Sequence, residues 1–165
     1  MTAASFSSLS ADHQRLQALV GTWRGEEQVA ATQWTDAGTA TAEAVAVAEF
    51  GGLFVVQRYR QRRDGTVSFG AHSVFGFDQQ TSAVTMHQFD SMGFVPTAPA
   101  TGSWNGRDLV LVRSSPRGSG RVTYTIDTDI NYRMRLEFQP AGSDIWQDMV
   151  SGVYCRVSPS SINDF

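Results

Sequence analysis

The sequence predicts an all-β protein: an up-and-down antiparallel barrel of about ten strands behind one short N-terminal helix. Three observations carry that expectation. Only one stretch, before Gly21, has helical periodicity, and from there to Val157 the chain is a succession of short alternating runs. Turn chemistry separates the runs, with Gly51-Gly52, Asp64-Gly65 and Asn105-Gly106 the clearest signals. Nearly every link is hairpin-sized, so neighbours in sequence should be neighbours in the sheet. A meander of that length has two edges to hide, and closure removes them. A two-sheet sandwich is the runner-up, but it needs long crossovers that the chain does not offer.

Residues 1–9 are small and Ser-rich and read as a frayed tail, 10–157 as one domain, and 158–165 as a C-terminal tail. Ser10 is placed to cap a helix through ADHQRLQALV, with Leu16, Leu19 and Val20 on one face and Gly21 ending it. The first two strands are TWRGEEQVAA and TATAEAVAVAEF. In the third, LFVVQRYRQR, Arg58, Arg60 and Arg62 share a solvated face opposite Val55, Gln57 and Tyr59. The fourth, VSFGAHSVFGF, sets Phe69, Ala71, Ser73, Phe75 and Phe77 on one side. SAVTMHQFDSM is the fifth, and Pro96 and Pro99 keep any strand in the next stretch short or at an edge. RDLVLVRS, RVTYTID, NYRMRLEFQ and SDIWQDMVSGVYCRV complete the set, with SPRGSG a mobile-looking loop among them. NYRMRLEFQ points Tyr132, Met134, Leu136 and Phe138 one way and Arg133, Arg135 and Glu137 the other, as one covered face requires.

Composition excludes several classes. A formal charge of -3 and a pI near 5.5 argue against nucleic acid, which needs a clustered basic surface. No apolar run is long enough to span a membrane, and the start lacks the basic-then-apolar order of a secretory signal. Cys155 is alone, so neither an internal disulfide nor a cysteine-pair metal site can form, and it reads as a small buried hydrophobe. A cytoplasmic protein is the expectation.

Gly21-Thr22-Trp23, a short helix followed by Gly-x-Trp on the first strand of a meander, resembles the calycin superfamily of lipocalins and fatty-acid-binding proteins. More narrowly, LVGTWRGE together with Gly76-Phe77-Asp78 and Asp90-Ser91-Met92-Gly93 resembles the bacterial lipocalin-like family called domain of unknown function 1579, over about residues 12–157. The resemblance implies a barrel of the kind that can hold a cavity, and no established reaction. It also implies that Trp23 plugs the closed end beneath an arginine from a late strand, for which Arg156 and Arg133 are the candidates.

The candidate ligand-binding residues are Tyr59, His72, His87, Trp104 and Tyr124. If the fourth and fifth strands pair through the Asp78–Thr81 turn, His72 and His87 face each other with Cβ atoms about 5 Å apart. So placed, they could share a proton, hold an anion or ligate a metal. Alternation sets both opposite the phenylalanine face, so they enter the lumen only if the phenylalanines point outward. No third ligand stands at usable spacing, so no metal is expected; nor is a cofactor, because the residues of a haem site are not recognisable. Tyr59 and Tyr124 offer hydroxyls, Trp104 suits a mouth, and Trp34 a lid. Met86, Met92, Met134 and Met149 suit either an adaptable cavity wall or core filler.

Three function classes stay open. The leading one is a binding protein holding a small apolar or amphipathic ligand in the barrel. The second is an enzyme of modest acid/base chemistry, an isomerase, cyclase or hydrolase, with His72 or His87 as base and Tyr59 or Tyr124 as acid; its catalytic residues are otherwise unknown. The third is a filled barrel acting through its surface, with a homodimer as one form.

Overall fold

The computed structural model describes residues 8–162, so the parts of the expected tails at 1–7 and 163–165 lie outside it. A helix α1, Ala11–Leu16, continues as a 3-10 turn, Gln17–Leu19. Ten strands follow: β1 Gly21–Val29, β2 Gly38–Glu49, β3 Phe54–Arg63, β4 Thr66–Asp78, β5 Ala83–Asp90, β6 Ala100–Asn105, β7 Asp108–Ser115, β8 Gly118–Ile126, β9 Asn131–Pro140 and β10 Gln147–Arg156. Each pairs antiparallel with its neighbours in sequence, and β1 pairs β10 to close the barrel. Closure gives every described strand a partner on both sides.

Ser10 caps α1 as its position suggests: its hydroxyl accepts from the His13 amide, and the His13 ring accepts from the Ser10 amide at 3.0 Å. That bond and an edge contact with Phe77 at 5.6 Å occupy His13, which is buried. Leu16 and Leu19 pass under the barrel and close its end. SPRGSG is tighter than its composition suggests. Ser115 pairs with Gly118, so only Pro116 and Arg117 make the turn and the glycines belong to β8.

Trp23 is the plug. Its indole, 1% exposed, donates to the Leu19 carbonyl at 2.9 Å and meets Tyr132 edge-on at 4.8 Å. The covering arginine is Arg156, whose guanidinium lies 4.3 Å from the indole centre. It is held there by the carbonyls of Val20 and Asp129. Arg133 instead pairs with Asp127 outside the barrel. Gly21 explains the rest of the motif: its φ is +141°, and a Cβ there would collide with the Arg156 guanidinium. Arg156→Ala, which removes an exposed cation over a buried ring, is expected to cost about 1 kcal/mol in urea denaturation.

The β4–β5 register differs from the expected one. Asp78 pairs with Ala83, so residues 79–82 form the loop. The Asp78 carboxylate accepts from the Gln80 amide and the Thr81 hydroxyl, and Ser82 takes a φ of +53°. This longer turn slides the ladder by two residues along β5. His72 therefore lies opposite Phe89, and His87 opposite Val74. A slip of two preserves facing, so Ala71, Ser73 and Phe75 are buried while His72 and His87 are exposed on the outer face.

Candidate functional site

The barrel is packed at one end and hollow at the other. Against α1, the lumen is filled by Trp23, Val55, Phe75, Leu109, Tyr132 and their neighbours. Beyond them opens a cavity of about 450 Å³, with its mouth among the β1–β2, β3–β4 and β5–β6 connections. That volume falls within the range of small-molecule sites, roughly 300–1,000 Å³.

The two sides of the cavity differ in chemistry. Leu111, Val122, Met134, Leu136 and Val150, from β7 to β10, make an apolar wall, and Met86, Met92 and Met149 add soft, polarisable surface. The facing wall carries Gln57, Tyr59 and Gln61 from β3, Ser68 and Ser73 from β4, and Gln88 from β5. Alternation puts the three β3 groups in line, each two residues from the next, running from the packed floor at Val55 toward the mouth at Arg63. Arg63 and Arg113 are the charged side chains in the lining, and both stand near the open strand ends. Trp34, half exposed, also lines the mouth and rests edge-on against Phe138 at 5.5 Å, in keeping with its expected place at a barrel end.

Behind the polar wall lies a group that the sequence reading did not single out. Glu27 is 1% exposed, and its carboxylate accepts from three neutral donors. Tyr59 donates at 2.8 Å, Gln61 at 2.7 Å, and Tyr154 closes the set. No described arginine stands within ion-pair distance of it. Glycines make the room: a Cβ on Gly25 would come within 2.5 Å of the Tyr154 ring, and one on Gly152 within 2.9 Å of the Glu27 side chain. The signal was present in TWRGEEQV. If Trp23 points inward, so do Gly25, Glu27 and Val29.

The network holds protons in place. Burial first, and then the charge of Glu27, push the Tyr59 phenol far above its ordinary range. Tyr154 is raised by burial, then by Tyr59 and Glu27, and Tyr124 by burial alone. Tyr59 and Tyr154 therefore act here as hydrogen-bond donors to Glu27 rather than ready proton sources. Glu27→Gln keeps the shape but sets an NH2 among groups that need an acceptor. It is expected to cost ~1–3 kcal/mol in urea denaturation.

The expected site residues separate into two groups. Tyr59 and Tyr124 line the cavity together. His72 and His87 do not reach it, because the phenylalanine face of β4 turns inward and carries them to solvent. Trp104 is at the opposite end from the mouth: it packs against the core near α1, with the Arg15 guanidinium 4.5 Å from its ring. Cys155 is exposed rather than buried. Without a histidine lining the cavity, the acid/base alternative loses the base it named. Among the described residues, no cluster of three or more His, Cys, Asp or Glu could hold a metal ion.

The family described as Protein of unknown function (DUF1579) matches residues 8–156. The chain belongs to this family. Two solved structures share the DUF1579 chain's barrel. Rv2717c from M. tuberculosis superposes with a TM-score of 0.68 at 18% identity, covering 92% of this chain and 100% of its own. The S-type phycobiliprotein lyase CPES from Guillardia theta has a TM-score of 0.64 at 9% identity, covering 91% and 94%. At such identities the likeness shows the lipocalin-like fold alone. No curated protein matches the chain.

The motifs that carried the resemblance to DUF1579 serve the backbone of this barrel. Asp78 organises the β4–β5 turn. In Asp90-Ser91-Met92-Gly93, the Asp90 carboxylate accepts from the Met92 amide at 3.0 Å and the Ser91 hydroxyl from the Gly70 amide at 3.1 Å. Gly93 then bends the chain away at φ +77°.

Proposed function

We propose that this protein binds a small, largely apolar molecule with some polar character in the open half of its barrel. The observation that carries the reading is the two-sided cavity of about 450 Å³, apolar along β7–β10 and hydrogen-bonding along β3–β5. Burial on the apolar wall would supply affinity, and the polar strip would supply orientation. Around the mouth Trp34, Met92, Phe94, Val95 and Ile145 are exposed, an apolar rim suited to admitting such a molecule. The reading treats 10–157 as one functional unit. No described helix is long and apolar enough to cross a membrane, and a cytoplasmic location is part of the proposal. A homodimer is not needed for it.

The test is native mass spectrometry of the purified protein against its denatured mass, followed by titration of the delipidated protein with small apolar fluorophores. A co-purifying mass that leaves on denaturation, or saturable binding that Leu111→Trp blocks by filling the lumen, is expected. A clean native mass together with no saturable binding would overturn the reading.

A further inference from the structure

We propose that the cavity selects a molecule carrying an uncharged oxygen acceptor, such as a ketone, ester or amide carbonyl, and seats that oxygen on Gln57. This inference rests on the binding reading above and specifies the ligand class.

Gln57 is 4% exposed and lines the cavity, and its Nε2 has no hydrogen-bond partner. Its surroundings make that absence specific. Along β3 it is the first polar side chain above the packed floor of Val55 and Phe75, and its direct neighbour across β4 is Ser73. The Ser73 hydroxyl is turned the other way, donating to Gln88 Oε1 at 3.2 Å, while Gln88 donates to Asp90 at 3.3 Å. Gln61, four positions along the same face, is engaged at both ends of its amide: it donates to Glu27 and accepts from the Ser68 hydroxyl at 2.9 Å. The amide nitrogens of Gln61 and Gln88 thus each have a protein partner, and among the amides of the strip that of Gln57 does not. A buried donor without an acceptor is costly, and an acceptor on a ligand in the cavity would remove that cost.

The acceptor that fits is neutral. The arginines of the lining, Arg63 and Arg113, belong to the mouth, and Arg63 is already used to hold the β1–β2 loop through Thr35 Oγ1 at 2.9 Å and the carbonyls of Asp36 and Ala37. Near the floor there is no cation in the lining to receive a carboxylate or phosphate. The buried Glu27 carboxylate stands just behind Tyr59 and Gln61, so an anion placed there would meet like charge in a low-dielectric setting. A carbonyl oxygen takes the Gln57 donor without that penalty, and the rest of the molecule lies along Leu111, Val122, Met134 and Leu136.

The test compares three probes of one shape: methyl naphthyl ketone, ethylnaphthalene and naphthoate, titrated into the wild type and into Gln57→Leu. The wild type is expected to prefer the ketone to ethylnaphthalene by about tenfold or more, with naphthoate weakest. In Gln57→Leu that preference should fall to about one, with ethylnaphthalene bound at least as well. The infrared carbonyl stretch of the bound ketone should sit at lower frequency in the wild type than in the variant. Without ligand, Gln57→Leu should melt higher by ~2–4 °C, since it loses an unpartnered amide and keeps the volume; this also checks that the variant folds. Equal binding of ketone and ethylnaphthalene by the wild type, survival of the preference in Gln57→Leu, or tightest binding of naphthoate would overturn the inference and leave the cavity reading standing. Failure of all three probes to bind, with a clean native mass, would overturn both.

Discussion

Trp23→Ala is expected to destabilise the barrel by ~3–5 kcal/mol, the range for removing a buried aromatic side chain. Three losses combine at that position. The packed floor loses its largest side chain, leaving a void beside Tyr132 that the closed ladder cannot easily collapse around. The Leu19 carbonyl loses the indole N–H that ties the 3-10 turn to the barrel. The Arg156 guanidinium loses the ring beneath it while its two carbonyl partners still hold it in place. The measurement is the urea midpoint, with an unchanged slope showing that the two-state transition survives. Trp34→Ala is the contrast, a half-exposed aromatic at the mouth whose loss should change stability by about 0.5 kcal/mol or less. If the two variants denatured at the same urea concentration, the plug assignment would fail.

The second large effect is alkaline. All four tyrosines of the chain, Tyr59, Tyr124, Tyr132 and Tyr154, have phenol pKa values raised by burial above the ordinary value near 10. Below pH ~9 folded and unfolded states both keep these protons, so stability does not depend on them. Above pH ~10 the unfolded chain releases them and the barrel does not. The folded state then binds more protons, and stability falls as pH rises. Each tyrosine contributes at most ~1.4 kcal/mol per pH unit, so four acting together approach ~5 kcal/mol per unit. Urea melts across this window should show that slope, and Tyr124→Phe should remove about one proton's share. In a pH titration the tyrosinate absorbance should rise in one step with the loss of near-ultraviolet circular dichroism. Gradual titration near pH 10 in an intact barrel would contradict the buried network.

Much of the fold was legible because alternation and turn chemistry are local. The Asp64-Gly65 and Asn105-Gly106 turns placed their hairpins, and β9 showed which of its sides faces inward. The β4–β5 turn was misread because Asp78 can close either a short loop or the longer one it forms, and only the closed ladder selects between them. The error cost a register but not a face, since the slip was of two residues. Trp104 was misplaced for another reason: a tryptophan beside a turn suits either end of a barrel, and it is the packing of α1 that makes its end the closed one.

By itself, then, the sequence determined the strand count, the meander order and the outward arginine faces, because each follows from short-range periodicity and one closing rule, while the plug followed from the resemblance carried by Gly21-Thr22-Trp23. The tertiary structure alone assembled the candidate site. Glu27, Tyr59, Gln61 and Tyr154 come from β1, β3 and β10, and no spacing along the chain announces that three distant donors converge on one buried carboxylate. Whether the lumen was open or filled was likewise a matter of volume, set by how the floor of Trp23, Phe75, Leu109 and Tyr132 packs and where it stops. The same holds for Gln57, which looks like any strand glutamine until closure removes it from water and leaves its amide nitrogen without a partner.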